Sequence, residues 1–444
     1  MKLLKLVLCI LTFVHSFSSF ASNEVLADYV HEPEEEFRVL KTTLVSIHDD
    51  YKIYNINFNS LKWLDKNRVD DPVWNHNLVI IVPNIIESEN CFYRISNGSR
   101  NEKVPDDIHP IVRHVSLEKK AVGIEIRNIP NQPIKFKDID QDLIEDGIIA
   151  YGWDKFLRND DKDYIVRLPM LKASYLGFRV ARDFLKQNDI EVSEYIAFGE
   201  SKRGWVVWLL PIVDPQIKAI LPSVIDVLNV QKSMKHHQSV YGDWSPVLQD
   251  YEKFEIPSRM FSKEFASLTD IIDPLNYRET LDLPKLVINA GNDQFFLPDN
   301  SQFYFDQLIG ENRLMFLPNE GHQFRLNKEQ LESIATYFSL VDQEKPLPKI
   351  FWQKDKDNIS IRSDTKIQEL RVWRATNGQA RDFRLWDDNS PRYVKTEIPL
   401  EAGQSLIRVH VEKETDNLFS STFVEVVFSL PEGKISFTTE AFVE

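Results

Sequence analysis

Three residues capable of acyl-transfer chemistry occur in a fixed order along the chain, each just past a short apolar run with the character of a β-strand. Ser201 lies in Tyr195-Ile196-Ala197-Phe198-Gly199-Glu200-Ser201-Lys202-Arg203-Gly204, a pattern of strand, tight turn and helix start. Asp293 follows the run Leu286–Ala290 through Gly291-Asn292, and His322 follows Leu314–Leu317 through Pro318-Asn319-Glu320-Gly321. A serine at such a turn projects its hydroxyl over a sheet, and the next residue's N–H faces the oxyanion formed when a carbonyl is attacked. His322 would take the Ser201 proton as general base, and Asp293 would hold the imidazole in its productive tautomer. Taken singly, His322 also reads as a loop histidine and Asp293 as a turn or cap residue; their joint order selects the catalytic reading.

The order Ser, Asp, His, with each member at the carboxyl end of a strand, is that of an α/β-hydrolase-like fold. The elbow is unusual: Arg203 stands where the second glycine of Gly-x-Ser-x-Gly is expected, and Gly204 comes one residue later. Asp299 is a second candidate acid, although the Gly-Asn-Asp turn brings Asp293 closer. The expected oxyanion donors are the backbone N–H of Lys202 and that of Gly98, in the loop Ser96-Asn97-Gly98-Ser99 after strand Cys91–Ile95. Glu200 is a candidate anchor for a substrate amine. His236 and His237 are adjacent, so their side chains diverge, and neither a metal site nor a cofactor is expected.

The elements that must position these residues alternate between short β-branched strands and helical stretches, as in a mostly parallel sheet covered on both faces. Expected strands are Thr42–His48, Tyr51–Phe58, Leu78–Val82, Cys91–Ile95, Val122–Ile126, Tyr195–Phe198, Ile217–Leu221, Leu286–Ala290 and Leu314–Leu317. The first two read as a hairpin across Asp49-Asp50, and later ones are joined by helical connections such as Asp142–Leu157 and Met170–Lys186. Residues 225–284 replace the strand rhythm with His236, His237, Tyr241 and Trp244, which reads as an inserted cap serving either packing or substrate contact. The hydrolase-like domain therefore spans 22–345. Beyond helix Lys328–Leu340, residues 346–444 alternate apolar and polar positions, the pattern of a small antiparallel β-sandwich. There Trp352, Trp373 and Trp386 are either core or a carbohydrate-binding platform.

Residues 1–21 begin with Lys2 and Lys5, continue through an apolar run and end in Ser19-Phe20-Ala21, the pattern of a cleaved signal peptide. A secreted or periplasmic product is expected, with no membrane span. Cleavage removes Cys9 and leaves Cys91 alone, so no intramolecular disulfide is expected. It also leaves 51 basic against 68 acidic side chains, a net charge of −17 that repels nucleic acid. Asn97-Gly98-Ser99 and Asn358-Ile359-Ser360 are glycan acceptors only in a eukaryotic source.

Several segments together resemble the PhoPQ-activated pathogenicity-related proteins: Asp71-Pro72-Val73-Trp74, Pro130-Asn131-Gln132-Pro133, Arg167-Leu168-Pro169-Met170-Leu171-Lys172-Ala173, Ser201-Lys202-Arg203-Gly204-Trp205, Ile225-Asp226-Val227-Leu228-Asn229, Pro318-Asn319-Glu320-Gly321-His322 and Arg381-Asp382-Phe383-Arg384. The resemblance implies an exported α/β-hydrolase-like core with a β-rich C-terminal part, and an elbow built on Ser-Lys-Arg-Gly. Glu200 and Asn97 depart from the family pattern, which has a small residue and a loop glycine at these places. The family includes a secreted repressor of cell proliferation. Two functions follow: a secreted serine hydrolase acting on a small ester or a peptide, or a secreted signalling protein that keeps the scaffold and binds a partner such as a cell-surface receptor.

Overall fold

In a computed structural model, residues 24–100, 102–401, 406–411 and 418–444 are described; the expected signal peptide lies outside them. At the centre, strands Gly123–Ile126, Asn90–Ile95, Glu194–Glu200, Ile217–Ser223, Lys285–Ala290 and Asn312–Leu317 lie parallel in that order. They read as near-continuous apolar runs because both faces are covered, and the residues of Lys285–Ala290 and Asn90–Ile95 are all buried. Antiparallel strands Arg38–Ile47, Tyr51–Lys62 and Val73–Pro83 extend one edge. One apolar core lies on each face of the sheet, one containing Tyr93, Trp205 and Trp208, the other Phe92, Phe198 and Ile288.

Helices Glu145–Asn159, Arg167–Gln187 and Lys202–Val213 carry much of the first core. Residues 225–284 contain no strand; their helices are Val230–Tyr241, Gln249–Lys253, Ile256–Arg259 and Lys263–Ile272. Helix Lys328–Asp342 starts at a capping box, in which the Asn327 side chain accepts from the Gln330 N–H and the Gln330 side chain answers to Asn327.

The sheet runs on past residue 346. Thr438 of strand Gly433–Thr438 pairs with Leu314, so strands Phe419–Leu430, Glu369–Asn377 and Val394–Ile398 continue the central sheet in antiparallel sense. A separate antiparallel sheet comprises Ile350–Lys354, Asn358–Ser363 and Ile407–His410. Its Ile359 and Ile361 share a core with Val424, Phe437 and Phe338. Trp352 and Trp373 pack against the apolar cores, and Trp373 Nε1 donates to Glu425 at 2.8 Å. Trp386 is exposed beside the Arg384 guanidinium.

Candidate active site

Ser201 sits between strand Glu194–Glu200 and helix Lys202–Val213 with φ 55° and ψ −125°, a conformation that costs a non-glycine residue about 1–3 kcal/mol. The turn is held by its neighbours: the Ser201 N–H donates to the Ser223 carbonyl at 2.8 Å. Strand and helix cross so closely that a Cβ on Gly199 would lie 2.9 Å from the Arg203 carbonyl, and one on Gly204 would lie 2.9 Å from the Gly199 oxygen. The close approach therefore falls at position 204, which frees position 203 for a large side chain.

Arg203 uses that freedom. Its terminal nitrogens donate to both oxygens of Glu145, at 2.7 and 2.6 Å, and its Nε donates to the Ile129 carbonyl. Lys202 Nζ reaches the same carboxylate at 2.9 Å and Asp146 at 3.3 Å. These cations, Arg203 above all, hold the Glu145 carboxyl far below its usual range despite partial burial. Gln132 locks Glu145 from behind, accepting from its N–H at 2.7 Å and donating to its carboxylate at 2.6 Å.

The three residues singled out by sequence meet. His322 Nε2 is 2.8 Å from Ser201 Oγ, and His322 Nδ1 is 2.9 Å from Asp293 Oδ2. Asp293 Oδ1 also accepts from the Phe295 N–H at 2.7 Å, and the Phe295 ring lies 4.2 Å from the imidazole. Asp299, the second candidate acid, pairs instead with His236 at 3.1 Å and Arg381 at 2.5 Å.

Residues from the C-terminal part fasten both loops. Asn292 Nδ2 donates to the Phe383 and Pro391 carbonyls, and Gln294 accepts from the His322 N–H at 2.8 Å while donating to the Leu385 carbonyl. Asn319 and the Tyr393 backbone exchange bonds of 2.9 and 2.7 Å, and the Tyr393 hydroxyl donates to the Gly291 carbonyl.

Two recesses adjoin Ser201. An open polar cleft is lined by Arg94, Asn97, His109, Glu200, His322 and Gln323. An apolar chamber adjoins it, walled by Trp153, Trp205, Trp244, Tyr251, Met234 and Phe296 and sharing Asp146, Ser201, Lys202 and Phe295 with the cleft. Residues 225–284 divide these side chains: Trp244 and Met234 line the chamber, whereas His237 is buried in a stack with Trp244 and His236 holds Asp299.

As the first helical residue, Lys202 has an N–H without an intrahelical acceptor, available to a developing oxyanion. The second expected donor, Gly98, lies in the loop beside the cleft. Gly98 is not among the residues lining the cleft, whereas exposed Asn97 is. Gly98 is turned toward Asn128 and Glu102, whose side-chain oxygens a Cβ there would strike, and its carbonyl accepts from Gln132. Glu200 is also spoken for: Arg94 Nη2 forks onto both its oxygens at 3.0 and 3.1 Å.

Sequence reasoning did not assign roles to Glu145, Gln132, Gln294, Tyr393 or Arg167. Gln132 and Arg167 stand in segments quoted for the family resemblance, but nothing local in the sequence points them at Ser201.

The chain is 30% identical over 397 residues to autocrine proliferation repressor protein A of Dictyostelium discoideum, covering 86% of this chain and 79% of the relative. Similar solved structures include an acetyl xylan esterase from Paenibacillus sp. R4 (12% identity, TM-score 0.47, 70% of this chain and 89% of that one). Another is acetyl xylan esterase 1 from Thermoanaerobacterium sp. JW/SL YS485 (12%, 0.48, 73% and 93%). The description PhoPQ-activated pathogenicity-related protein matches residues 26–384, and the chain belongs to that family.

Proposed function

We propose that the protein is a secreted serine hydrolase that cleaves an ester or amide through Ser201, His322 and Asp293. The observation that carries this reading is the unbroken hydrogen-bonded series Ser201 Oγ, His322 and Asp293, at 2.8 and 2.9 Å, built on a strained elbow. In the reaction Ser201 Oγ attacks the carbonyl carbon as its proton passes to His322 Nε2, and the Lys202 N–H stabilises the oxyanion. Collapse expels the leaving group, which takes the proton from His322. A water activated by the same imidazole then frees the acyl group and restores Ser201. Asp293 orients the ring and stabilises the imidazolium. Residues 1–21 support export. Turnover of short acyl esters that disappears in Ser201→Ala tests the reading; turnover that survives the substitution contradicts it.

A second reading is favoured by one observation, the 30% identity to a proliferation repressor along most of the chain. In this reading the scaffold acts by binding a partner such as a cell-surface receptor. Repression of proliferation by the Ser201→Ala protein, equal to that of the wild type, distinguishes it from hydrolysis.

A further inference from the structure

The apolar chamber beside Ser201 contains a charge that forms no ion pair with any described carboxylate. Arg167, the first residue of helix Arg167–Gln187, lines this chamber and is only 2% exposed. Its guanidinium lies 4.5 Å above the Trp205 ring, and Nη1 donates to the Lys202 carbonyl at 3.3 Å. Nε is buried with no hydrogen-bond partner. Among the described residues no carboxylate forms an ion pair with Arg167. The two carboxylates whose charges act on it, one of them (Asp146) also lining the chamber, are committed: Glu145 to Arg203 and Lys202, Asp146 to Lys202 and to the Tyr251 hydroxyl at 3.1 Å. Three buried cations thus meet two carboxylates, and Arg167 is the one left over. Burial brings the guanidinium down only to about 10, so it is charged at neutral pH.

An unpaired buried charge is costly to a fold, and aromatic stacking offsets only part of that cost. A ligand that supplies the missing anion would recover it. The chamber has the size for a short group: about 50 Å³, against the roughly 10–15 Å³ one water needs, takes about three to five heavy atoms. The side of the substrate it holds follows from His322, which must protonate the leaving group and lines the polar cleft rather than the chamber. The leaving group therefore lies in the cleft and the acyl group in the chamber.

We propose, resting on the hydrolase reading, that Arg167 selects the substrate: the chamber takes a short acyl chain ending in a carboxylate, which the guanidinium binds. A four-carbon dicarboxylic monoester fits, with two methylenes against the aromatic wall and its free carboxylate at Arg167.

The test compares hydrolysis of monomethyl succinate and methyl butyrate by the full mature chain, followed by pH-stat. The wild type is expected to favour the monoester by at least about tenfold in kcat/KM, and Arg167→Met to shift that ratio toward the butyrate by about 10- to 100-fold. Arg167→Lys is expected to restore only part of it, because an ammonium lacks the planar fork. Equal or slower hydrolysis of the monoester by the wild type, or an unchanged ratio in Arg167→Met, overturns the proposal. Should Arg167→Met fail to fold, protection of wild-type Ser201 from a fluorophosphonate decides: the monoester must protect at lower concentration than methyl butyrate, and the reverse overturns the proposal. If Ser201 takes up no fluorophosphonate, it is the hydrolase reading that fails. Calorimetric titration of wild type with monomethyl succinate then decides the anion site by itself, binding supporting it and no binding overturning it.

Discussion

Arg203 and Glu145 form a two-bond fork, 2.7 and 2.6 Å, directly behind the strained Ser201 turn. Arg203 is buried and Glu145 mostly so; removing one partner strands the other charge, a cost of about 3 kcal/mol for a buried pair. Glu145→Gln is expected to lower stability by about that much and to slow the reaction of Ser201 with a fluorophosphonate. The double variant Glu145→Gln/Arg203→Met is expected to be less destabilised than the sum of the single changes, as measured by denaturant unfolding. Strict additivity would mean that the fork does not brace the elbow.

Asn319 joins the histidine loop to the backbone of Tyr393 by two hydrogen bonds. Asn319→Ala leaves the Tyr393 N–H and carbonyl unsatisfied, at about 1–3 kcal/mol. Because His322 is three residues away, the labelling rate of Ser201 is expected to fall at least about tenfold even where circular dichroism shows a fully folded protein. For the same reason a chain ending at residue 345, which loses the partners of Asn292, Gln294 and Asn319, is expected to label poorly. Labelling of either protein at the wild-type rate would contradict the clamp.

The two candidate acids separate cleanly. Asp293→Asn is expected to cut kcat by about 10⁴, since the amide favours the wrong imidazole tautomer. Asp299→Asn breaks the contacts to His236 and Arg381, and is expected to lower the melting temperature while leaving kcat within about tenfold. A reversal of these effects would reassign the acid.

Burial pushes His76 down from 6.5 to about 4, with Nε2 on the Ser60 hydroxyl and Nδ1 on the Arg127 carbonyl. His237, also buried, is likewise pushed down to about 4. Between pH 4 and 6.5 the unfolded chain binds protons that the folded chain refuses, so stability is full above pH 6.5 and is lost as pH falls toward 4. Each histidine accounts for about 3 kcal/mol over that interval. His76→Asn is expected to flatten the stability slope there by about one proton, although the variant is less stable. An unchanged slope in urea titrations at pH 4.5, 5.5 and 6.5 would exclude His76 as its source.

The central sheet was legible because its strands are nearly continuous apolar runs, and Ser201, Asp293 and His322 because each follows such a run. The hydrogen bonding across residue 346 was not: the edge pair Leu314–Thr438 joins residues 124 positions apart, and local periodicity carries no record of register. Gly98 is expected as an oxyanion donor from its place in the loop after strand Cys91–Ile95. In the structure Gly98, at a φ of 152°, packs against Asn128 and Glu102, and Asn97 takes the position at the cleft. The family resemblance accounts for Arg203 in the elbow, but its partner was not legible, since Glu145 lies 58 residues upstream. Arg167 was hidden for a similar reason: its significance is a missing partner, which only the surrounding side chains reveal.

The most direct test of the central claim is labelling of the folded mature protein by a fluorophosphonate, comparing wild type with Ser201→Ala and His322→Ala. The hydrogen-bonded series from Ser201 to Asp293 predicts rapid stoichiometric labelling of the wild type and none in either variant. A folded wild type that does not label, or variants that label as fast, would contradict an activated Ser201.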